Sequence, residues 1–401
     1  MENFYLKKKY NKINYWISRP VVVNTTCIDE KPFQIISNDK LLIKVQNDID
    51  THPYKLKYTI NGPETNSNYI CNFINENYVG DDETQFIYKP ETIEYYMNDS
   101  LTICFYSKET EQIESKMIGL VVAKKAILIV ANTEFNSVET NFLSIVPKVR
   151  GNNLTPLIIS ILTKELILNY SIGISHYTIG NPIKSPHFGL KYYFHRVINI
   201  HKLFDTKFIT ESEDKINEWI RIYNNFANYL PEQKIIYLNN KTTPNISDDF
   251  INLICKNINL YSKYQYKIYE LKSFEQIKQL FNNSTFHHFL FVENNNNLKE
   301  PLIKNYICIN QIDILNKSNN ISYSNGYIYM GFYENKPDIV IEKLSEYIWK
   351  NKILDLITWS DFFDITQSCS KVIKGTGFLK YYLFNIKTSS IPNEYNGIVT
   401  L

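Results

Sequence analysis

SVETNFLSIVPKVRGNNLTP, residues 137–156, is the stretch that decides the fold. Residues 138–146 are mostly apolar, which predicts a strand. A short polar loop follows, and Thr155 then stands as a candidate N-cap, with Pro156 in the first turn of a helix. Leucine and isoleucine recur at helical spacing after Pro156, so we predict a helix over residues 156–169. The order is therefore strand, polar loop, helix.

The polar loop between this strand and helix has the pattern of an anion site. Unpaired N–H groups at a helix N-terminus point outward, and the helix dipole favours negative charge there. Gly151 allows the backbone to approach a ligand closely. An ordinary strand-to-helix connection has the same pattern, and the residues alone leave both interpretations open.

Composition limits the class of protein. The 401 residues carry a net charge of only +2, which does not favour nucleic acid as a partner. Six cysteines lie far apart without a C-x-x-C pair, so we expect reduced thiols and no metal site. Residues 1–9 lack the apolar core of a signal peptide, and the apolar stretch 117–130 is too short to span a bilayer. We expect a soluble, cytoplasmic protein without a transmembrane segment.

The remaining pattern predicts two mixed α/β halves that meet near residues 205–222 and share one large interface. Lys124 and Lys125 interrupt the apolar stretch, so we predict two strands, 117–122 and 126–130, joined by a tight turn. The first 30 residues carry aromatic anchors and few helix signals, which is typical of an arm packed on another part of the chain. In the second half we predict helices over 213–228, 248–260 and 337–350, strands over 286–292, 327–333, 381–386 and 397–401, and a surface loop over 294–297.

Residues 137–156 and the segment ENYVGDDE, residues 76–83, resemble the glycylpeptide N-myristoyltransferase family, and the chain's end at GIVTL, residues 397–401, fits the same family. The resemblance covers nearly all of the first 208 residues and roughly the final 75, and it is faint between 223 and 320. It implies an α/β (α+β) fold of two tandem GNAT-like domains that share a large interface. Residues 1–210 would bind acyl-CoA, and residues 211–401 would bind the peptide and supply the C-terminal carboxylate.

The resemblance implies that myristoyl-CoA is the co-substrate and that no metal takes part. The residues expected to bind it are Asn14, Tyr15 and Trp16 of the N-terminal arm, with Lys148, Arg150, Gly151, Asn152, Asn153, Leu154 and Thr155 of the loop and helix start. Asn152 and Asn153 stand where the family has two basic residues. Because charge-assisted contacts to phosphate are stronger than neutral ones, we expect a reduced affinity for the phosphates.

The resemblance also assigns the groups that carry out acyl transfer. The backbone amides of Phe142 and Leu143 would form the oxyanion hole. An α-amino group is mostly protonated at neutral pH, so the substrate's terminal glycine must first lose a proton to a base. The family uses its C-terminal carboxylate, here that of Leu401, with help from Asn141 and Thr178. On the residues alone, a C-terminal strand with a solvated carboxylate is the simpler interpretation.

Peptide contacts are implied for two regions. The residues are Tyr78, Asp81, Asp82, Glu83, Phe86 and Tyr88 in the first region, and Tyr193 and His195 in the second. An acidic loop beside an apolar wall suits a substrate with a basic residue a few positions after its glycine. Three carboxylates in a row are also common in a solvated turn. Gly80 replaces a family glutamate, and we expect it to loosen the loop.

The resemblance therefore implies a monomeric enzyme that transfers myristate from myristoyl-CoA to the N-terminal glycine of peptides or proteins. Two alternatives stay open. One is a non-catalytic binder of acyl-CoA or of glycine-ended peptides, suggested by Asn152 and Asn153. The other is a related acyltransferase that uses a shorter acyl chain.

Overall fold

The computed structural model describes the backbone of residues 22–24 and 389 and, in full, residues 31–62, 66–107, 116–180, 183, 185–226, 230–243, 245–293, 302–360, 371–388 and 391–399. Several predicted features lie outside these residues: Asn14, Tyr15 and Trp16 of the arm, the loop 294–297, and Leu401. Cys71, Cys104, Cys255 and Cys308 are buried thiols rather than disulfides. Cys27 and Cys369 also lie outside the described ranges.

The described elements alternate between helices and strands along the chain. The helices are α1 Asn38–Thr51, α2 Ser67–Asn77, α3 Pro90–Met97, α4 Leu154–Tyr170, α5 Ile200–Asp205, α6 Ile216–Tyr223, α7 Asp248–Gln265, α8 Phe274–Phe281 and α9 Pro337–Asn351. The strands are β1 Val22–Asn24, β2 Phe33–Gln34, β3 Lys57–Ile60, β4 Thr84–Ile87, β5 Ser100–Tyr106, β6 Met117–Val130, β7 Thr133–Ile145, β8 Ser175–Ile179, β9 Gly189–Val197, β10 Gln233–Leu238, β11 Ile268–Leu271, β12 Phe286–Glu293, β13 Leu302–Asn316, β14 Ile321–Tyr333, β15 Leu356–Ser360, β16 Ile373–Phe384 and β17 Ile386–Ser389.

One large sheet joins the two halves of the chain in a near-symmetric order. Its strands follow each other as β3, β5, β6, β7, β8, β16, β9, β15, β14, β13, β12 and β10. Each half thus contributes a series of five strands, and β16 and β9 lie between the two series. In both series the last pairing is parallel: β7 with β8, and β14 with β15. A smaller sheet contains β1, β17 and β2.

The two halves repeat one order of elements and exchange strands with each other. The order from α2 to β8 recurs from α7 to β15: helix, strand, helix, three strands, helix, strand. Strand β4 of the first half pairs with β13, while β11 of the second half pairs with β6. Strand β9 follows β8 but pairs with β15, and β16 follows β15 but pairs with β8. Backbone hydrogen bonds therefore hold the halves together at several places.

Strand β6 is continuous, so the predicted turn at Lys124 and Lys125 is wrong. Lys124 is buried, but its ammonium donates to the carbonyls of Tyr95 (2.6 Å) and Asn98 (2.9 Å). These bonds satisfy the charge, and burial lowers the pKa of Lys124 to about 8. The chain turns instead at residues 131–132, where both φ angles are positive (43° and 64°), as tight hairpins require.

Other element boundaries also differ from the prediction. Helix α4 begins at Leu154, and its N-cap is Asn153 rather than Thr155. The predicted helix 213–228 is a short 3-10 turn followed by α6, which ends at Tyr223, where the carbonyl accepts from the Arg196 guanidinium (2.8 Å). Residues 397–399 form no strand, because the N–H of Ile398 bonds the Asn396 side chain (3.0 Å) instead of a ladder partner.

None of the described helices combines the length and the apolar character that crossing a bilayer requires. Within the described ranges, no three His, Cys, Asp or Glu side chains come together as metal ligands would.

Candidate active site

A cavity of about 790 Å³ runs beside α4, β7 and β8, within the size range typical of ligand sites. It brings together three groups of residues that the sequence predicted to act together. They are Arg150, Gly151, Asn153, Leu154 and Thr155 of the loop and helix start, Asn141, Phe142 and Leu143 of β7, and Thr178 of β8. Tyr78 and Gly80, which follow α2, line the same cavity.

The wall of the cavity along α4 is apolar. This helix presents Ile159, Leu162 and Leu166 to the cavity at a spacing of three and four residues, which places them on one face. Further apolar lining comes from Val121, Ile145, Ile172, Ile174 and Phe384. Between residues 154 and 166 the helix advances roughly 18 Å, at ~1.5 Å per residue. A wall of this length and character suits an extended hydrocarbon chain.

The polar end of the cavity is the start of α4. Gly151 and Asn153 have φ angles of 90° and 58°, so the loop turns sharply into the helix. A Cβ atom on Gly151 would meet nothing within 4 Å, so glycine serves the backbone conformation there rather than the space. The first N–H groups of a helix have no carbonyl partner within it, and the dipole adds positive charge. This end of the cavity can therefore bind an anion.

The other loop residues predicted to bind the cofactor have different placements. Arg150 lines the cavity, yet its guanidinium donates to the carbonyls of Ile145 (2.8 Å) and Asn77 (2.6 Å). Arg150 thereby ties the loop to the ends of β7 and α2. The amide of Asn152 donates to a carbonyl of its own loop (3.1 Å), and neither Asn152 nor Lys148 belongs to the cavity lining.

Strand β7 has a bulge at Phe142 and Leu143. Its pairing with β6 passes from residue 144 to residue 141, and these two residues have no partner in the register. Phe142 has a φ of 52°, which costs an ordinary residue roughly 1–2 kcal/mol. Three tyrosine rings meet the Phe142 ring edge-on, with centroids 5.2–5.5 Å away: Tyr78, Tyr88 and Tyr96. The bulge takes two backbone amides out of the sheet register beside the cavity.

Asn141 connects this bulge to Tyr78. Its Oδ1 atom accepts hydrogen bonds from the N–H of Phe142 (2.9 Å) and from the phenol of Tyr78 (3.3 Å). Thr178 lines the cavity from β8. The backbone pairing of β7 with β8 stops at residues 139 and 176, so the ladder between the two strands ends there. The site can thus present the Asn141 and Thr178 side chains to one ligand.

A buried charged cluster, which the sequence analysis missed, lies where β7 and β8 part. Glu139 is only 2% exposed, and burial together with the Glu270 carboxylate raises the pKa of Glu139 to about 8. The Nε2 atom of His176 lies 2.6 Å from Glu270, and Lys272 pairs with the other oxygen of that carboxylate. One carboxyl oxygen of Glu139 has no hydrogen-bond partner. The available signal was a glutamate inside the apolar part of the predicted strand 138–146.

The acidic loop lies on the surface between α2 and β4. Asp81 already has partners: its carboxylate accepts from the N–H groups of Thr84 (2.6 Å) and Glu83 (2.9 Å), and these bonds lower its pKa. Lys317 of the second half donates to the Asp81 carbonyl (2.6 Å) and holds the loop. The side chains of Asp82 and Glu83 are exposed, so they are the ones available to a basic group.

Gly80, at the start of this loop, has a structural reason to be glycine. Its φ is 151°, and a Cβ atom there would lie 2.8 Å from the carbonyl oxygen of Thr84. Two backbone segments approach each other closely at this point, and only glycine leaves room for that contact. Gly80 therefore helps to hold the loop in place and does not loosen it.

The predicted aromatic wall comes from the first half and packs against the second. Burial, with the phenols of Tyr78 and Tyr193 nearby, keeps the pKa of Tyr88 well above its usual value. Tyr193 on β9 meets Tyr327 of β14 edge-on at 6.1 Å. Phe86 packs against two apolar clusters of the core, so it is partly a structural residue.

His195 is a neutral imidazole in this structure. Burial lowers its pKa to about 4. The hydroxyl of Thr358 donates to Asn325 (2.8 Å) and so accepts from the Nδ1–H of His195 (2.8 Å). The Nε2 atom is therefore an acceptor, and it can receive a hydrogen bond from a substrate.

The last described residues run into the core. The N–H of Gly397 donates to the Ile268 carbonyl (2.7 Å), and Ile398 is buried. Val399 packs against the apolar cluster that contains Phe142.

Several known proteins resemble this chain in sequence. Residues 36–187 match the model of the myristoyl-CoA:protein N-myristoyltransferase N-terminal domain. The glycylpeptide N-tetradecanoyltransferase of Plasmodium falciparum is 26% identical over 417 residues, which cover 97% of this chain and 94% of that protein. The Dictyostelium discoideum protein of the same name is 28% identical over 210 residues, which cover 50% of this chain and 49% of that protein.

The fold agrees with this assignment. A crystal structure of Saccharomyces cerevisiae N-myristoyltransferase with bound myristoyl-CoA has a TM-score of 0.74 to this chain, at 17% identity, and the match covers 98% of this chain and 100% of that one. The predicted α/β fold of two tandem GNAT-like domains is confirmed. The chain belongs to the glycylpeptide N-myristoyltransferase family of acyltransferase enzymes.

Proposed function

We propose that this protein transfers a myristoyl group from myristoyl-CoA to the N-terminal glycine amine of peptides and proteins. One observation carries the proposal. A helix start suited to anions, a bulged strand and a long apolar wall all line the same cavity. These parts match the phosphates, the reacting carbonyl and the acyl chain of an acyl-CoA thioester.

In this proposal the amides of Phe142 and Leu143 stabilise the negative charge that develops on the thioester oxygen. The Phe142 amide bonds the Asn141 side chain, so the thioester oxygen must share or replace that bond. Asn141 and Thr178 orient the incoming amine. Leu154 and Thr155 at the start of α4 bind phosphate, and residues 14–16 of the arm complete the acyl-CoA site.

We propose the carboxylate of Leu401 as the base. Leu401 lies outside the described residues, and the support comes from Val399, which packs against the large core cluster that includes Phe142. Burial raises the pKa of a carboxylate and makes it a better base. It takes one proton from the ammonium group, and the neutral nitrogen then bonds the carbonyl carbon. The C–S bond breaks, and the nitrogen's second proton passes to the departing thiolate, which gives the amide and coenzyme A.

The peptide would bind where the halves meet. Asp82 and Glu83 are exposed for a basic residue, and Tyr88, Tyr193 and His195 form a wall that the second half backs with Tyr327 and Thr358. On this basis we divide the chain into an acyl-CoA domain, 1–210, and a domain, 211–401, that contributes to the peptide site and supplies the C-terminus.

Incubation with tritiated myristoyl-CoA and a Gly-initiated peptide tests the function, and labelled peptide is the expected product. An Ala-initiated peptide is the matched control, because its extra methyl group crowds the attacking amine. Binding of acyl-CoA without any product would point to a binder. Equal labelling of both peptides would point to a broader acyltransferase.

A further inference from the structure

The first half contains a compact clamp around Tyr88. Its carbonyl accepts hydrogen bonds from the Cys71 thiol (3.1 Å) and the Asn75 amide (3.1 Å), and its N–H donates to the Asn75 side-chain oxygen (2.8 Å). The Asn75 carbonyl in turn accepts from the Gln85 side chain (2.7 Å). Asn75 therefore joins the last turn of α2 to the residue that follows β4.

The second half contains the same clamp at the same spacing. Cys255 and Asn259 donate to the Lys272 carbonyl (3.3 and 2.7 Å), and the Lys272 N–H donates to Asn259 (2.9 Å). In both copies the cysteine precedes the asparagine by four residues, and the clamped residue follows the asparagine by 13. The repeat is thus preserved at the level of individual hydrogen bonds.

Each clamped residue touches the bulge of its own half. The Tyr88 ring meets Phe142 edge-on at 5.5 Å, and the Lys272 ammonium lies 5.4 Å from the centre of the Tyr329 ring. Tyr329 is the residue that the register between β13 and β14 skips. The two copies differ in one respect. The backbone of Phe142 has the left-handed conformation (φ 52°), and that of Tyr329 does not.

We infer that Asn75 is a positioning residue for acyl transfer, which holds Tyr88 against Phe142 and so keeps the bulge amides in place. Tyr88 is the clamped residue itself, and its ring packs edge-on against Phe142. A left-handed aromatic residue persists only where its surroundings impose that conformation. Asn75 fastens the residue that carries one of the three rings that do so. The inference rests on the proposed function, because it concerns the same amides.

The test compares Asn75→Ala with Asn259→Ala, which removes the same set of hydrogen bonds from the other copy. Both variants should show a similar fall in Tm. Only Asn75→Ala should lower kcat, by roughly ten- to a hundredfold, as expected when oxyanion donors are displaced. The Kd for a non-reactive thioether analogue of myristoyl-CoA should stay at the wild-type value in both. Asn75→Asp retains the acceptor for the Tyr88 N–H and should recover part of the lost kcat.

Two results would overturn the inference: an unchanged kcat in Asn75→Ala, or equal losses of kcat in the two alanine variants. If Asn75→Ala does not fold, the milder Asn75→Asp decides in the same way, with Asn259→Asp as its partner. A wild-type protein that makes no acylated peptide refutes the proposed function instead, so the two failures are distinguishable.

Discussion

Tyr78 and Asn141 are joined by a 3.3 Å hydrogen bond across 63 residues of sequence. Burial raises the pKa of Tyr78 to about 12, so the phenol keeps its proton and is the donor. Tyr78 ends the helix before the acidic loop, and Asn141 begins the bulge of β7. The bond therefore connects the proposed peptide side of the site with the proposed oxyanion amides.

Replacing Tyr78 with Phe removes this bond and keeps the ring. We expect a loss of about 1 kcal/mol, or roughly fivefold in kcat, with little change in acyl-CoA affinity. Tyr96→Phe is the control, because the Tyr96 ring also packs on Phe142 while its buried hydroxyl has no partner. Steady-state kinetics would contradict the assignment if both variants lost the same activity.

Asn153→Arg should tighten acyl-CoA binding more than Asn152→Lys does. Asn153 lines the cavity, whereas Asn152 bonds its own loop outside the lining. A new phosphate contact is expected to contribute about 1 kcal/mol, or roughly fivefold in Kd, and to weaken as salt screens it. Calorimetric titration at low and high ionic strength measures both. Equal effects of the two substitutions would mean that the loop meets the phosphates differently.

Glu139→Gln should remove a pH dependence of stability. The pKa of Glu139 is raised from 4.5 to about 8, so between these values the folded state binds one proton more than the unfolded chain. The free energy of unfolding should thus fall as pH rises through this window, by up to roughly 1.4 kcal/mol per pH unit. The stabilisation is complete below the pKa that Glu139 has in the unfolded chain, and it is lost above the pKa that Glu139 has in the folded protein.

Denaturant unfolding across this pH window measures the effect. The wild type and the exposed control Glu232→Gln should show the slope, and Glu139→Gln should lack that contribution. Parallel profiles for all three proteins would show that Glu139 is ionised throughout.

The double substitution Asp82→Asn and Glu83→Gln should raise KM for a peptide with a basic residue after its glycine more than it lowers kcat. These side chains are exposed and remote from the bulge, so they act on capture rather than chemistry. Asp81→Asn should instead lower Tm, because its carboxylate closes the turn through Thr84 and Glu83. A neutral peptide serves as the control substrate, and its KM should not change.

Adding a few residues after Leu401 should lower kcat by orders of magnitude, because the proposed base would become an amide. Binding of the thioether analogue should remain near the wild-type value, since the phosphate and acyl parts of the cavity are elsewhere. Turnover at the wild-type rate in the extended protein would exclude the terminal carboxylate as the base.

Local sequence signals predicted α4, the loop before it and the position of β7. These signals failed where contacts between residues far apart in the sequence determine the structure. Lys124 indicated a turn, because a lysine inside an apolar strand needs acceptors for its ammonium. The carbonyls that accept from it lie at the end of α3, which the sequence around Lys124 does not reveal. Glu139 gave little indication of a role, since the partners of its cluster, Glu270 and Lys272, come from the second half. The left-handed Phe142 has no signal in the sequence, because its ring contacts impose it.

The reciprocal exchange of strands also has a consequence for biosynthesis. Strand β16, which ends at residue 384, lies between β8 and β9 and bonds both. During translation the inner edges of β8 and β9 must stay open until almost the whole chain has left the ribosome, and open edges invite aggregation. A nascent or truncated chain would thus need chaperone protection, and a recombinant fragment of the first half is a poor choice for expression.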